Sequence, residues 1–153
     1  MKATAAVAAL AVCTLLAGPA SAQEKAKPAP LASFVELFTN PAVTSARKAQ
    51  GLKAGTWYEG TITVTDVEYY KKQGAEAAFA EIRDENYRGG CYLLMFRTAD
   101  TAKALALSVD DKVVVRGRLA GSGVQLSKYV SGCQTRYALF KDCEIVGPAK
   151  PQP

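Results

Sequence analysis

"CYLLMFRTADTAKALALSVDDKVVVRGRL", residues 91–119, changes its hydrophobic period twice, and those changes decide the fold. Tyr92 to Arg97 is apolar at most positions on both faces, the pattern of a central strand. Asp100 then stands where a helix N-cap belongs. The run 101–107 that follows predicts a short helix with Ala102, Leu105 and Ala106 on one side. From Lys112 the period drops to two, with Val113, Val115, Gly117 and Leu119 on one face and Arg116 and Arg118 on the other.

Working outward, "TWYEGTITVTDVEYY" (56–70) sets Tyr58, Ile62 and Val64 against Thr61, Thr63 and Thr65. This predicts one long strand, with Gly60 as a bend or bulge where it curls. Residues 75–86, "AEAAFAEIRDEN", favour helix locally. The turn residues of "ENYRGG" and the strand after them make a hairpin the economical reading, with a strand over 78–84. Residues 136–146, "RYALFKDCEIV", close the domain as a last strand.

Ahead of the strands, Leu31, Phe34, Val35 and Phe38 recur at helical spacing, and Pro41 ends that helix. Asn40 is placed to cap a second short helix carrying Val43 and Ala46. Together they form a helical strap over one side of the sheet.

The N-terminus has Lys2, an apolar run over residues 5–16 and the small residues Ala20-Ser21-Ala22, the features of a secretory leader spanning 1–22. The apolar run is shorter than the roughly 20 residues a spanning helix needs. Residues 23–30 and 147–153 are polar and proline-bearing and read as a disordered linker and tail, leaving a single domain over 31–146. The expected location is periplasmic or secreted.

The order of three strands, a short helix and two more strands is that of the OB-fold. The expected class is therefore all-β with small α additions. Its architecture is a five-stranded Greek-key barrel, with a short helix between strands 3 and 4 and a helical N-terminal strap. In detail the chain resembles exported OB-fold proteins of the tRNA_anti-like group, which carry a helix before the barrel. Leu107, Asp111, Val113, Val115, Gly117 and Leu119 fill most of that group's "L-x-x-G-D-x-V-x-V-x-G-x-L" pattern. Cys143 and Ile145 fill its "L-x-x-C-x-I" ending. The chain departs from the pattern at Asp110, where the group has glycine.

Histidine is absent, which removes the commonest general base and zinc ligand. No nucleophile elbow, P-loop or dinucleotide fingerprint occurs, and Asp110-Asp111 and the acids of residues 83–86 read as turn and capping groups. No catalytic residue, metal site or cofactor is assigned. The expected function is a non-catalytic binding module for a protein or anionic glycan of the cell envelope. The alternatives are a single-stranded nucleic-acid binder and, next, an envelope enzyme. OB-folds bind through the face of strands 2 and 3 and the loops joining strands 1–2 and 4–5. Those loops, read here as 68–74 and 126–136, nominate Tyr69, Tyr70, Lys71, Lys72, Lys128, Tyr129 and Arg136. Aromatic rings and cations side by side can stack on and neutralise a ligand.

Removing the leader takes Cys13 and leaves Cys91, Cys133 and Cys143 in an oxidising compartment. Along one strand at about 3.3 Å per residue, Cys133 and Cys143 stand roughly 30 Å apart. A disulfide needs a Cα separation of about 4.4–6.8 Å, so they cannot pair with each other. In an OB barrel the third and fifth strands run parallel, and their beginnings bring Cys91 beside Cys133, the first choice of pair. Cys143, on the face of Leu139 and Ile145, is then a buried thiol. Cys91–Cys143 is the competing choice and needs a stagger of the two strands.

Overall fold

The computed structural model describes residues 27–71, 78–86, 91–126 and 134–148. In chain order these form β1 (Ala29–Pro30), α1 (Leu31–Thr39), α2 (Ser45–Gly51), β2 (Trp57–Thr63) and β3 (Asp66–Lys71). Then come β4 (Ala78–Asn86), β5 (Tyr92–Thr98), α3 (Thr101–Leu105), β6 (Lys112–Leu126) and β7 (Gln134–Pro148). The described chain is mostly β. Its seven strands make one sheet in the order β1-β2-β6-β7-β5-β4-β3. β1 lies in the stretch expected to be linker, and the end of β7 in the stretch expected to be tail.

Seven strands replace the expected five, and no strand pairing among the described residues joins β1 to β3 to close a ring. The physical reason lies at Val64 and Thr65, which divide the alternating stretch into β2 and β3. The Val64 N–H donates to the Asp111 carbonyl at 2.9 Å, and the Val64 carbonyl accepts from the Asp110 N–H at 2.8 Å. One residue later, the Thr65 N–H donates to the Arg83 carbonyl at 2.8 Å. The chain thus changes partners here: β2 pairs antiparallel with β6, and β3 antiparallel with β4. The segment with local helical preference is strand β4, held between β3 and β5. Tertiary pairing overrides the propensity. β5 and β7 run parallel, with Tyr92 opposite Arg136 and Phe96 opposite Phe140.

The core lies between the inward faces of these strands and α1. Leu31, Phe34 and Phe38 of α1 are buried, as their spacing predicts. The Phe34 ring meets Tyr58 and Phe140 edge-on, each at 5.1 Å, and Phe140 stacks on Phe96 at 4.6 Å. Gly60 is not a bulge, since its register opposite Val115 is unbroken. It makes room instead: a Cβ there would stand 2.6 Å from the Leu31 Cβ, where α1 begins.

Two local expectations are corrected. Asn40 caps a turn, its Oδ1 accepting from the Ala42 N–H at 2.9 Å, while Thr44 caps α2. Asp100 does cap α3, accepting from the Lys103 N–H, but that helix buries Ala104. Ala102, Leu105 and Ala106 are exposed, Leu105 by 55%, because α3 is a single turn touching the sheet along one line.

Asp110 adopts φ 72°, the left-handed region that favours glycine. Asp110 is exposed and its N–H bond to Val64 survives substitution. Asp110→Gly is therefore expected to stabilise the fold by roughly 0.5–1 kcal/mol, as relief of backbone strain outweighs the greater freedom of glycine in the unfolded chain. Urea denaturation of the two proteins measures it; a destabilised variant would refute it.

β7 carries an irregularity that redirects its side chains. Arg116 faces Glu144 but Arg118 faces Lys141, so β7 holds one extra residue there, and Asp142 takes φ 55°. The inward residues therefore run Ala138, Phe140, then Cys143. Leu139 points outward, and the expectation that it shares a face with Cys143 is corrected.

Candidate functional site

Of the residues expected to bind a ligand, those that the structure describes lie on strands. Tyr69, Tyr70 and Lys71 belong to strand β3, with Tyr69 48% and Tyr70 36% exposed. As neighbours along a strand, the two tyrosines point to opposite faces. Lys72, Lys128 and Tyr129 lie outside the described residues. Arg136 lies in β7 and its Nη1 donates to the Phe38 carbonyl at 3.3 Å. Lys48 Nζ donates to the same oxygen at 3.0 Å. Partial burial and then the neighbouring Arg136 charge lower the Lys48 pKa. The two cations secure the C-terminal turn of α1.

What the fold assembles around Tyr70 is a patch on the outer face of β3, β4 and β5. Cross-strand register places Asp66 beside Arg83, Glu68 beside Glu81, Glu81 in turn beside Arg97, and Tyr70 beside Phe79. Tyr70 and Phe79 stack with ring centroids 5.0 Å apart, and the Arg97 guanidinium lies 5.0 Å from the Phe79 centroid. Glu81 is only 1% exposed although it belongs to the outward row. Two guanidinium groups cover it: Arg83 Nη2 lies 3.0 Å from its Oε1 and Arg97 Nε 2.8 Å from its Oε2.

Arg83 is shared further, with Nη1 at 2.7 Å from Glu68 Oε1 and 3.9 Å from Asp66 Oδ2. Desolvation works against its charge, yet the hydrogen bond to Glu81 and the Glu68 and Glu81 charges outweigh it and raise its pKa. The Tyr70 hydroxyl donates to Glu68. That bond, then burial and the surrounding carboxylates, raise the Tyr70 pKa against the opposing pull of Arg83. Both groups keep their protons at neutral pH. The patch is a surface of aromatic rings, carboxylates and cations already paired, with the Tyr70 hydroxyl held on the Glu68 carboxylate. From sequence only Tyr70 of this patch was nominated. The period-two alternation of 78–84 could have put Phe79, Glu81 and Arg83 on one face, and the strand pairing adds Arg97.

The cysteines separate by role. Cys91 is buried and disulfide-bonded, and its carbonyl accepts from the Arg136 N–H at 3.0 Å. Cys133 lies outside the described residues. Cys143 is a free, buried thiol whose Sγ would stand 2.6 Å from a Cβ added at Gly117. It also lines a hollow of about 280 Å³ with Thr98, Asp100, Lys103 and Asp142.

Burial, with the nearby Asp142 charge, pushes the Cys143 pKa from 9.0 up to about 12. The unfolded chain therefore loses this proton first, and the thiol's contribution to stability, full below pH 9, falls as pH rises towards 12. The slope is about 1.4 kcal/mol per pH unit within that window. Urea denaturation at pH 8, 9.5 and 10.5 should show a steeper fall for the native chain than for Cys143→Ala, and equal slopes would refute it.

No family model matches this chain, and no curated protein matches its sequence. Among solved structures it is similar to a mitochondrial single-stranded DNA binding protein from S. cerevisiae, at 9% identity and a TM-score of 0.37. That similarity covers 63% of this chain and 100% of the other.

Proposed function

We propose that this protein is an exported, non-catalytic binding module of the OB type whose ligand is a protein of the cell envelope. The fold part of the proposal rests on the exchange of partners at Val64 and Thr65. Counting β2 and β3 as one bent strand, and β1 as an N-terminal addition, gives five strands. Their neighbours then run in the circular order of the Greek-key barrel, with β5 and β7 parallel. In that barrel the face of the second and third strands, here β4 and β5, carries the ligand. The disulfide of Cys91 is proposed to join Cys133, only three residues before Arg136, whose N–H already bonds Cys91. It would constrain a loop of about 40 residues and contribute roughly 2–4 kcal/mol.

The observation that carries the choice of ligand is the pairing of the patch's cations. Arg83 and Arg97 are both engaged by Glu81, and Glu68 and Asp66 add further negative charge. Such a face offers little attraction to a polyanion, whose binding depends on cations available to displace its counterions. It presents Tyr70 and Phe79 in a rigid polar frame, which suits a protein surface. An anionic glycan is thereby the less favoured of the two envelope ligands.

The test uses the tagged protein without its leader. Partner protein captured from envelope extract should fall at least tenfold with Tyr70→Ala and Phe79→Ala combined, while the variant still unfolds cooperatively. Single-stranded oligonucleotides should bind weakly at both 50 and 200 mM salt. Tight oligonucleotide binding that collapses at the higher salt would overturn the proposal in favour of nucleic acid.

A further inference from the structure

β3 is the last strand of the sheet, and among the described residues only β4 pairs with it. Its other edge can be read residue by residue. The Val67 N–H turns away from β4 and donates to its own Asp66 Oδ1 at 2.8 Å. Main-chain groups alternate in direction along an antiparallel strand, so the N–H and C=O of Tyr69 and Lys71 face the same outer edge. Asp66 thus caps the start of that edge, while among the described residues no strand pairs with the stretch through Tyr69. Natural sheets blunt such edges with proline, bulges or charge. Pro30 occupies the opposite end of this sheet, in β1; β3 has no proline or irregular register, and the device it carries is charge, at Asp66, Glu68 and Lys71.

The flanking chemistry selects what can add there. On the outer face three carboxylates, Asp66, Glu68 and Glu81, meet two guanidinium groups, Arg83 and Arg97. The carboxylates left most exposed are those of β3 itself, Asp66 at 53% and Glu68 at 38%. On the other face Tyr69 offers an exposed ring. We propose that the protein partner binds by adding an extended segment to the edge of β3. That segment places a lysine or arginine opposite Glu68 and an apolar residue opposite Tyr69. This rests on the partner being a protein and specifies how it is held: main-chain hydrogen bonds give affinity, and alternating side chains give selectivity.

The probes are two capped five-residue peptides, one alternating valine with arginine and one alternating valine with glutamate. Amide NMR of the labelled protein should show the arginine peptide binding at least tenfold tighter. Its shifts should centre on Val67, Tyr69 and Lys71. Tyr69→Pro removes an edge-facing N–H that β4 does not use, and should weaken that peptide at least tenfold. N-methylating the amides on one edge of the peptide should do the same without altering the protein, so a folding defect in the variant would not obscure the result. Equal affinity for both peptides, no binding, shifts centred elsewhere, or occupation of the edge by a second copy in sedimentation would each overturn the proposal. Partner capture that survives Tyr69→Pro but fails with the Tyr70 and Phe79 double variant would refute the edge and leave the patch standing.

Discussion

Phe140→Ala is expected to destabilise the protein by about 4 kcal/mol, a cost typical of removing a buried phenylalanine ring. Phe140 is fully buried and joins two parts of the molecule. Its ring stacks on Phe96 of β5 and meets Phe34 of α1 and Tyr58 of β2 edge-on. Truncation leaves a cavity bordered by three rings on three elements, which cannot all move inward together. It also removes the ring contacts that hold α1 against the sheet. Phe140→Leu, which refills most of the volume, should cost less than half as much. Urea denaturation gives both values, and a cost below about 1.5 kcal/mol for alanine would show that the site collapses freely.

The second large effect is expected at Glu81. Removing its carboxylate by Glu81→Ala leaves Arg83 and Arg97 facing one another across the space it filled. Breaking a buried charge pair from one side costs about 3–5 kcal/mol, and the partial exposure of Arg97 puts this case near 3 kcal/mol. Glu81→Gln keeps the shape and part of the hydrogen bonding, so it should cost about half as much. Because the arrangement is local to the patch, either variant should also weaken partner capture. Thermal unfolding measures the stability, and a loss under 0.5 kcal/mol would show that water replaces the carboxylate without cost.

The difference between these two positions in the sequence shows why some of the protein was legible and some was not. Phe34, Phe38, Tyr58, Ile62, Val113 and Val115 were readable as core because periodic placement of large apolar groups has one stable outcome, burial on a common face. The same periodicity located the strands and the helix between them, and turn chemistry marked β4 as a strand against its own propensity. Glu81 was not readable as buried, because a glutamate in an alternating strand is ordinarily solvated. Its burial depends on Arg83 two residues away and on Arg97 from another strand.

Irregularities defeated the period itself. The break at Val64 and Thr65 occurs within an uninterrupted alternation, because the change of partner is imposed by Asp111 on one side and Arg83 on the other. The extra residue around Asp142 reverses which residues of β7 face inward, and so placed Cys143 opposite Gly117 while turning Leu139 out. The sequence alone therefore determined the apolar faces, the order of the main elements and the absence of histidine chemistry, since these follow from residue type and spacing. Only the tertiary structure decided strand number, the direction of each side chain past an irregularity, and the Tyr70, Phe79, Glu81, Arg83 and Arg97 patch. Those depend on register between strands distant in the chain, which hydrogen bonding across the sheet sets and local spacing does not.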